Sequence, residues 1–262
     1  MSQDGELRLR LVQAELYWRD PARNRERLGE LALGAGPGAD RVVLPETFTT
    51  GFLGDEDVPA EGMDGPTVQW MVELAKTLDA AVCGSAVIVD DGGRFNRFLV
   101  AGPEGMLAHY DKRHLFGPGG EQERYEPGRQ RVVFDWRGWR ICPQVCYDLR
   151  VPAWCRNRGD YDLLVFVANW PAARVTAWKA LARARAIENQ ACVVAVNRVG
   201  TDGRRLAYPG QSCVFDAMGE ELAGLADREQ VADVALDLVA LRRVREELPF
   251  LADADRFEIT GP

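Results

Sequence analysis

Basic charge is scarce in this sequence of 262 residues, where 32 lysines and arginines face 40 aspartates and glutamates for a net charge of −8. A nucleic-acid partner would want a basic face, so that class is excluded. Long apolar runs are missing too. The longest, Leu163 to Ala168 and Ala191 to Val196, fall far short of the ~18 residues a membrane-spanning helix needs. The opening Met1-Ser-Gln-Asp-Gly-Glu carries acid where a signal peptide would carry base. No Cys-x-x-Cys pair occurs, and only His109 and His114 are available to join cysteines around a metal. A disulfide framework or a structural metal site is therefore not expected, and a reducing, cytoplasmic compartment is. Lysine is the scarcest cation: Lys76, Lys112 and Lys179 stand against 29 arginines.

What remains is ordinary globular material, 47% apolar and 27% charged, without low-complexity tracts. A layered domain of this length buries roughly 70–75% of its unfolded surface. Leu7, Leu9 and Leu11 alternate with Arg8 and Arg10, which predicts a half-buried strand from Leu7 to Leu16. Asp20-Pro21 supplies a cap and first-turn proline for a helix reaching about Leu33. A short buried strand, Arg41 to Leu44, ends at Pro45-Glu46, and a second helix is expected from Pro66 to Leu78.

Strands are then expected at Ala81–Val89 and Phe95–Ala101, with Pro103-Glu-Gly105 turning into Met106–Tyr110. After a polar loop come strands near Val132–Asp135 and Trp139–Cys146, and a helix over Pro152–Arg158. A strand (Asp162–Asn169), a helix (Ala177–Gln190) and a strand (Ala191–Val199) follow. The chain closes with strands at Ser212–Phe215, Glu220–Leu222 and Val231–Leu236 and a helix near Val239–Glu247. Alternating helices and strands mixed with hairpins point to an α/β fold with mixed sheets. About a dozen strands is many for one sheet, so two packed sheets are expected. No linker interrupts residues 1–262; the single domain has a core of about 7–236 and a C-terminal helix and tail from about 237.

Three segments collect chemistry at strand ends. Glu46 directly follows a buried strand, Lys112 lies in Tyr110-Asp-Lys-Arg-His-Leu-Phe116, and Cys146 ends a strand and precedes a helix. In α/β sheets ligands gather beyond the carboxyl ends of strands, so Glu46 and Cys146 can face one site. A thiol nucleophile needs a base, an oxyanion donor and a proton source for the leaving amine. A carboxylate at the rim of an apolar strand is partly desolvated, which suits acid and base work alike. Lysine offers a compact point charge where arginine would bring a broad planar fork, a reason to keep Lys112 in so arginine-rich a chain. Each residue also has an ordinary reading: a solvated edge carboxylate, an exposed loop cation and an inert strand cysteine.

The joint pattern resembles the nitrilase superfamily of carbon–nitrogen hydrolases. It is carried, in order, by Leu44-Pro-Glu-Thr-Phe48, Tyr110–Phe116, Val145-Cys-Tyr-Asp-Leu-Arg150, Ala168-Asn-Trp-Pro171, Ala184-Arg-Ala-Ile-Glu-Asn-Gln190 and Asn197-Arg-Val-Gly200. The resemblance implies a four-layer αββα sandwich of two mixed sheets, dimerising into αββα–αββα. It implies a Glu46–Lys112–Cys146 triad with a second catalytic glutamate at Glu121, Glu123 being the competing assignment. Tyr147, Phe116 and Trp170 are the expected substrate-binding residues, and no metal or cofactor enters. Val151-Pro-Ala153 and the extra thiol of Cys142 depart from the usual pattern and bear on pocket shape.

Within the family the segments are most similar to the ω-amidase branch. That implies a small-molecule substrate, the terminal amide of a short 2-oxo dicarboxylic acid monoamide such as 2-oxoglutaramate, with a cation for its carboxylate. Nitriles, N-carbamoyl amino acids and deaminated peptides are the alternatives within the family. A Cys–His hydrolase using His114, or a non-catalytic scaffold, are the alternatives outside it. Arg185 and Glu188, three apart on a helix face, are expected to pair or to hold the catalytic loops. Asp148 and Arg150 are expected to orient the turn after Cys146.

Overall fold

The computed structural model describes residues 5–54 and 60–260; the first four residues of the acidic N-terminal run lie outside them. In chain order the elements are β1 (Glu6–Gln13), α1 (Pro21–Gly34), β2 (Arg41–Val43), α2 (Pro66–Leu78), β3 (Ala81–Asp90), β4 (Gly93–Gly102) and β5 (Gly105–Asp111). The second half comprises β6 (Phe134–Trp136), β7 (Trp139–Val145), α3 (Pro152–Cys155), β8 (Leu163–Ala168), α4 (Val175–Asn189) and β9 (Cys192–Asn197). It continues with β10 (Val199–Thr201), β11 (Ala207–Pro209), β12 (Cys213–Phe215), β13 (Glu221–Gly224), β14 (Gln230–Asp237) and α5 (Leu238–Glu247).

Two mixed six-stranded sheets result, ordered β14-β1-β2-β3-β4-β5 and β13-β12-β9-β8-β7-β6. In each, three central strands run parallel, β1-β2-β3 and β7-β8-β9, while the outer pairings are antiparallel. The sheets pack face to face. Leu7, Leu9, Leu11, Val43, Phe98 and Val100 of the first meet Trp139, Ile141, Leu163, Val165 and Val194 of the second. Outside the first sheet, α1 and α2 bury Leu28, Ala32, Val68, Met71 and Leu74. Outside the second, α4 buries Trp178, Ala182 and Ala186 against Leu164 and Phe166. This is the αββα sandwich expected.

Local chemistry explains the ends. The Asp20 side chain accepts from the Arg23 amide and opens α1, and α2 starts at Pro66 and stops at Asp79 in a left-handed cap. Four expectations need correction. The helix after Pro152 lasts one turn, ending at Cys155. Asn157 stops it by bonding the amides of Gly159 and Asp160, a turn that competes with helix. The strand Leu7–Leu16 ends at Gln13, and Ala191–Val199 divides so that Val199–Thr201 pairs with the unforeseen β11. Arg10 is not on a solvent face but fully buried, its guanidinium bonded to Asp233 and to the carbonyls of Ala32 and Gly36 at the end of α1.

Candidate active site

Five chain segments arrive at one end of the space between the sheets. Leaving β2, Leu44 donates to the Cys83 carbonyl (2.7 Å) and Phe48 to that of Ser85 (3.0 Å), which carries Glu46 inward. Thr47 next to it has a left-handed φ of 39° and is held by the Ser85 hydroxyl at 2.9 Å. Gly84 is needed below this loop: a Cβ there would stand 2.9 Å from Leu44 Cβ and Phe48 Cδ1. Lys112 follows β5; its amide donates to the Asn96 carbonyl on β4 (3.0 Å) and its carbonyl accepts from Gly128 (2.9 Å). That approach too requires glycine, since a Cβ on Gly128 would meet the Asp111 carbonyl oxygen at 2.0 Å.

Cys146 stands where β7 turns into the 3₁₀ helix Cys146–Arg150, with a φ of +44° that L-residues rarely adopt. Such strain costs about 1–3 kcal/mol and persists only where surrounding bonds over-determine it. Here the buried Asp148 supplies them. It accepts from the Val145 amide (3.0 Å), the Tyr110 hydroxyl (2.8 Å) and the His114 amide (3.0 Å), tying the cysteine turn to the lysine loop. The His114 ring also turns to Asp148, 2.8 Å away, and does not line the cavity described below. Arg185 pairs with Glu188 (2.9 Å) and donates to the Leu149 carbonyl (2.7 Å), so it does both things expected of it.

Glu46, Lys112 and Glu121 are buried, and the ammonium joins the carboxylates. Lys112 Nζ lies 2.9 Å from Glu46 Oε1 and 2.7 Å from Glu121 Oε2, leaving one of its three N–H bonds uncommitted to them. Glu121 also accepts from the Phe116 amide (2.6 Å), whereas Glu123 is exposed; the geometry brings Glu121, not Glu123, to the lysine. Two asparagines that sequence reasoning missed complete the cluster. Asn96 Nδ2 donates to Glu46 Oε1 (2.9 Å) and Glu121 Oε1 (3.1 Å). Asn169 donates through its backbone to Glu46 Oε2 (2.7 Å) and through Nδ2 to the Glu46 carbonyl (2.8 Å). Only the place of Asn169 at a strand end, before Trp170-Pro171, hinted at it.

Burial opposes the charge of Lys112, but Glu121 and then Glu46 outweigh it and hold the ammonium well above its ordinary range. Burial and Glu46 push the Cys146 thiol well up, with Lys112 opposing in part. The resting sulfur is thus a neutral thiol beside a carboxylate, and its proton leaves only as it reacts. Iodoacetamide inactivation should accordingly accelerate with pH through pH 9. A plateau near neutrality would reveal a resting thiolate and contradict this ionisation state.

A cavity of about 220 Å³ opens over Lys112, Cys146 and Asn169. Its walls include Phe52, Phe116, Tyr147 and Trp170, so the three expected substrate-binding side chains share it. Trp170 is buried on its far side against Trp178, ring centroids 5.4 Å apart. Two guanidiniums on the cavity wall lie over aromatic rings and make no ion pair among the described residues: Arg150 lies over the Trp170 ring (4.8 Å) and Arg174 over Phe116 (5.1 Å). Arg150 therefore faces the cavity, and of these two residues it is Asp148 that orients the turn. At this volume the site is below the roughly 300–1,000 Å³ that drug-sized ligands occupy and suits a small molecule.

A buried carboxylate and ammonium with a half-buried thiol beneath a small cavity between two sheets define a thiol hydrolase of the αββα class, and the chain belongs to the carbon–nitrogen hydrolase family, whose model matches residues 8–246. It is 44% identical to the ω-amidase YafV of Escherichia coli K12 over 97% of this chain and 98% of that protein. It is 31% identical to the 2-oxoglutaramate amidase of Bacillus subtilis, covering 92% and 95% of the two chains. The crystal structure of XC1258 from Xanthomonas campestris, a CN-hydrolase superfamily protein with an arsenic adduct in its active site, superposes with a TM-score of 0.95. That chain is 49% identical, with coverage of 97% of this chain and 99% of the other.

Proposed function

We propose that this enzyme is an ω-amidase, hydrolysing the terminal amide of a short 2-oxo dicarboxylic acid monoamide of the 2-oxoglutaramate or 2-oxosuccinamate type. The carrying observation is one cavity with Cys146 and Lys112 at its base and the guanidiniums of Arg150 and Arg174 on its wall. An amide at one end and a carboxylate at the other is the substrate such a cavity complements. The likeness to the E. coli ω-amidase and the B. subtilis 2-oxoglutaramate amidase supports the same choice.

In the proposed mechanism Glu46 takes the thiol proton as Cys146 Sγ attacks the amide carbon. The tetrahedral oxyanion is met by the third N–H of Lys112 and by the backbone N–H of Tyr147. The latter sits in the first turn of its 3₁₀ helix, where an amide has no acceptor within the helix. Glu46 then protonates the leaving nitrogen, ammonia departs, and a thioester remains on Cys146. Water, deprotonated by Glu46, attacks the thioester; the carboxylic acid leaves and the thiol is restored. Glu121 anchors Lys112 and orients the substrate amide. No step calls for a cofactor or metal.

Ammonia release from a panel of amides, nitriles and ureido acids tests the reaction class. A nitrile or ureido acid turned over faster than every amide would overturn it. Arg150→Met and Arg174→Met test the substrate. A charge-assisted hydrogen bond contributes about 1.5–3 kcal/mol, so loss of the carboxylate's ligand should raise KM for 2-oxoglutaramate about 10- to 100-fold. An uncharged amide of equal length should lose far less. Unchanged KM in both variants would remove the arginines from the reading.

Six free cysteines, five of them buried, fit a cytoplasmic setting. Ile187, Met218 and Leu222 expose apolar side chains on α4 and around the β12–β13 turn, which support a homodimer formed through that face. Light scattering at twice the chain's mass is expected; a monomer at micromolar concentration would exclude it.

A further inference from the structure

Resting on the assignment of Glu46 as the base, we propose that Asn96 is a positioning residue that selects Oε2 of Glu46 as the oxygen exchanging the proton with Cys146. Asn96 continues the row of Phe98 and Val100 on β4 that faces the second sheet, and it is 1% exposed. It does not line the cavity, so it acts through other groups. Its Nδ2 spends both N–H bonds on carboxylates, one on Glu46 Oε1 and one on Glu121 Oε1. Lys112 Nζ repeats the bridge from the other side, to Glu46 Oε1 and Glu121 Oε2.

Counting lone pairs then separates the two oxygens of the base. Oε1 of Glu46 accepts from both Lys112 and Asn96 and is saturated. Oε2 accepts from the Asn169 amide at 2.7 Å, whereas the Asn169 side chain, 3.4 Å away, directs its two N–H bonds to the Glu46 carbonyl (2.8 Å) and the Thr47 hydroxyl (3.0 Å), which leaves Oε2 a free lone pair and makes it the better proton acceptor. The Asn96 amide cannot be reversed, because its carbonyl oxygen would then face two carboxylates. Among the described residues, Oδ1 of Asn96 is meanwhile buried with no hydrogen-bond partner. An asparagine kept only for packing would satisfy both ends; this one leaves its acceptor unmet and keeps its donors on the two glutamates.

The backbone of the same residue sets the third member of the cluster, since its carbonyl holds the Lys112 amide. Asn96 is thus the covalent link between the register of the lysine and the spacing of the carboxylates. The charged and titratable groups around Glu46 are Lys112, Glu121 and Cys146, with Tyr125 and Tyr208 farther off. Burial raises both phenols above the working pH range, so they stay neutral.

Asn96→Asp would put a third carboxylate against two others, and Asn96→Leu would remove both donors at similar volume. Each disfavours the ionised carboxylates. The acid limb of kcat/KM for 2-oxoglutaramate should move to higher pH, by one unit or more in Asn96→Asp, with kcat at pH 7 down tenfold or more. KM should change less than threefold. The double variant Asn96→Asp/Glu121→Gln returns the cluster to its original charge, and its acid limb should move back towards wild type. Thermal unfolding identifies the variants that fold, and Asn96→Ser carries the same test if Asn96→Asp does not. An unshifted limb in the folded variants, whether activity is lost or kept, would leave Asn96 a packing residue and overturn the proposal. A wild-type enzyme silent on every amide would instead overturn the assigned reaction.

Discussion

Replacing Cys146 with alanine is expected to reduce ammonia release from 2-oxoglutaramate by about 10⁴-fold or more, while the folded protein still binds the substrate. The magnitude follows from removing the one atom that forms the acyl bond; comparable deletions of a nucleophile cost up to about 10⁶ in kcat. The cavity, Lys112 and the arginines persist in such a variant, so it also separates binding from chemistry. Wild-type protein quenched during turnover should carry an acyl adduct on the peptide containing Cys146, detected by its mass. Turnover by Cys146→Ala at a tenth of the wild-type rate would show that the sulfur is not the nucleophile.

Lys112→Arg should be nearly as damaging although it conserves charge, with kcat/KM lowered about 10²- to 10³-fold, the usual result of losing one oxyanion donor. The ammonium is fully enclosed and reaches two carboxylates at 2.9 and 2.7 Å. A guanidinium is broader, planar and directional, and it cannot meet both oxygens while aiming a further N–H at the cavity. Lys112→Met should fare worse, because it strands two buried carboxylates; breaking a buried pair typically destabilises by about 3–5 kcal/mol. A lower melting temperature in the methionine variant and a slower kcat in the arginine variant are the paired readouts. An arginine variant with normal turnover would mean that charge alone suffices at this position.

Much of the fold was legible in local chemistry. The cap at Asp20, the prolines opening α1 and α2, and the period-two or uniformly apolar runs mark their elements because those preferences act over a few residues. The turn at Asn157 and the strand β11 were not, since each depends on partners far along the chain: the Asn157 amide donates to Asn189, and β11 needs Val199–Thr201 opposite. Arg10 and Arg150 show the same limit for single side chains. One was expected at a polar face and is enclosed; the other was expected to brace a turn and lies over Trp170 at the cavity.

The site divides along the same line. Residue type and strand-end position singled out Glu46, Lys112 and Cys146, and the family resemblance added Glu121 over Glu123. Asn96 and Asn169 gave no comparable signal, because a strand asparagine and a loop asparagine are unremarkable until one knows what stands 2.7–3.1 Å away.

The amino-acid order by itself determined the class of fold, the family and the reactive groups, since periodicity, caps and motif spacing are properties of neighbours in the chain. The tertiary structure decided which nitrogens face which carboxylate oxygens, which arginines stack on the rings of the cavity wall, and which glutamate meets the lysine. Those outcomes turn on angles and distances of a few tenths of an ångström between residues 9 to 123 positions apart, and only the packing of the two sheets sets them.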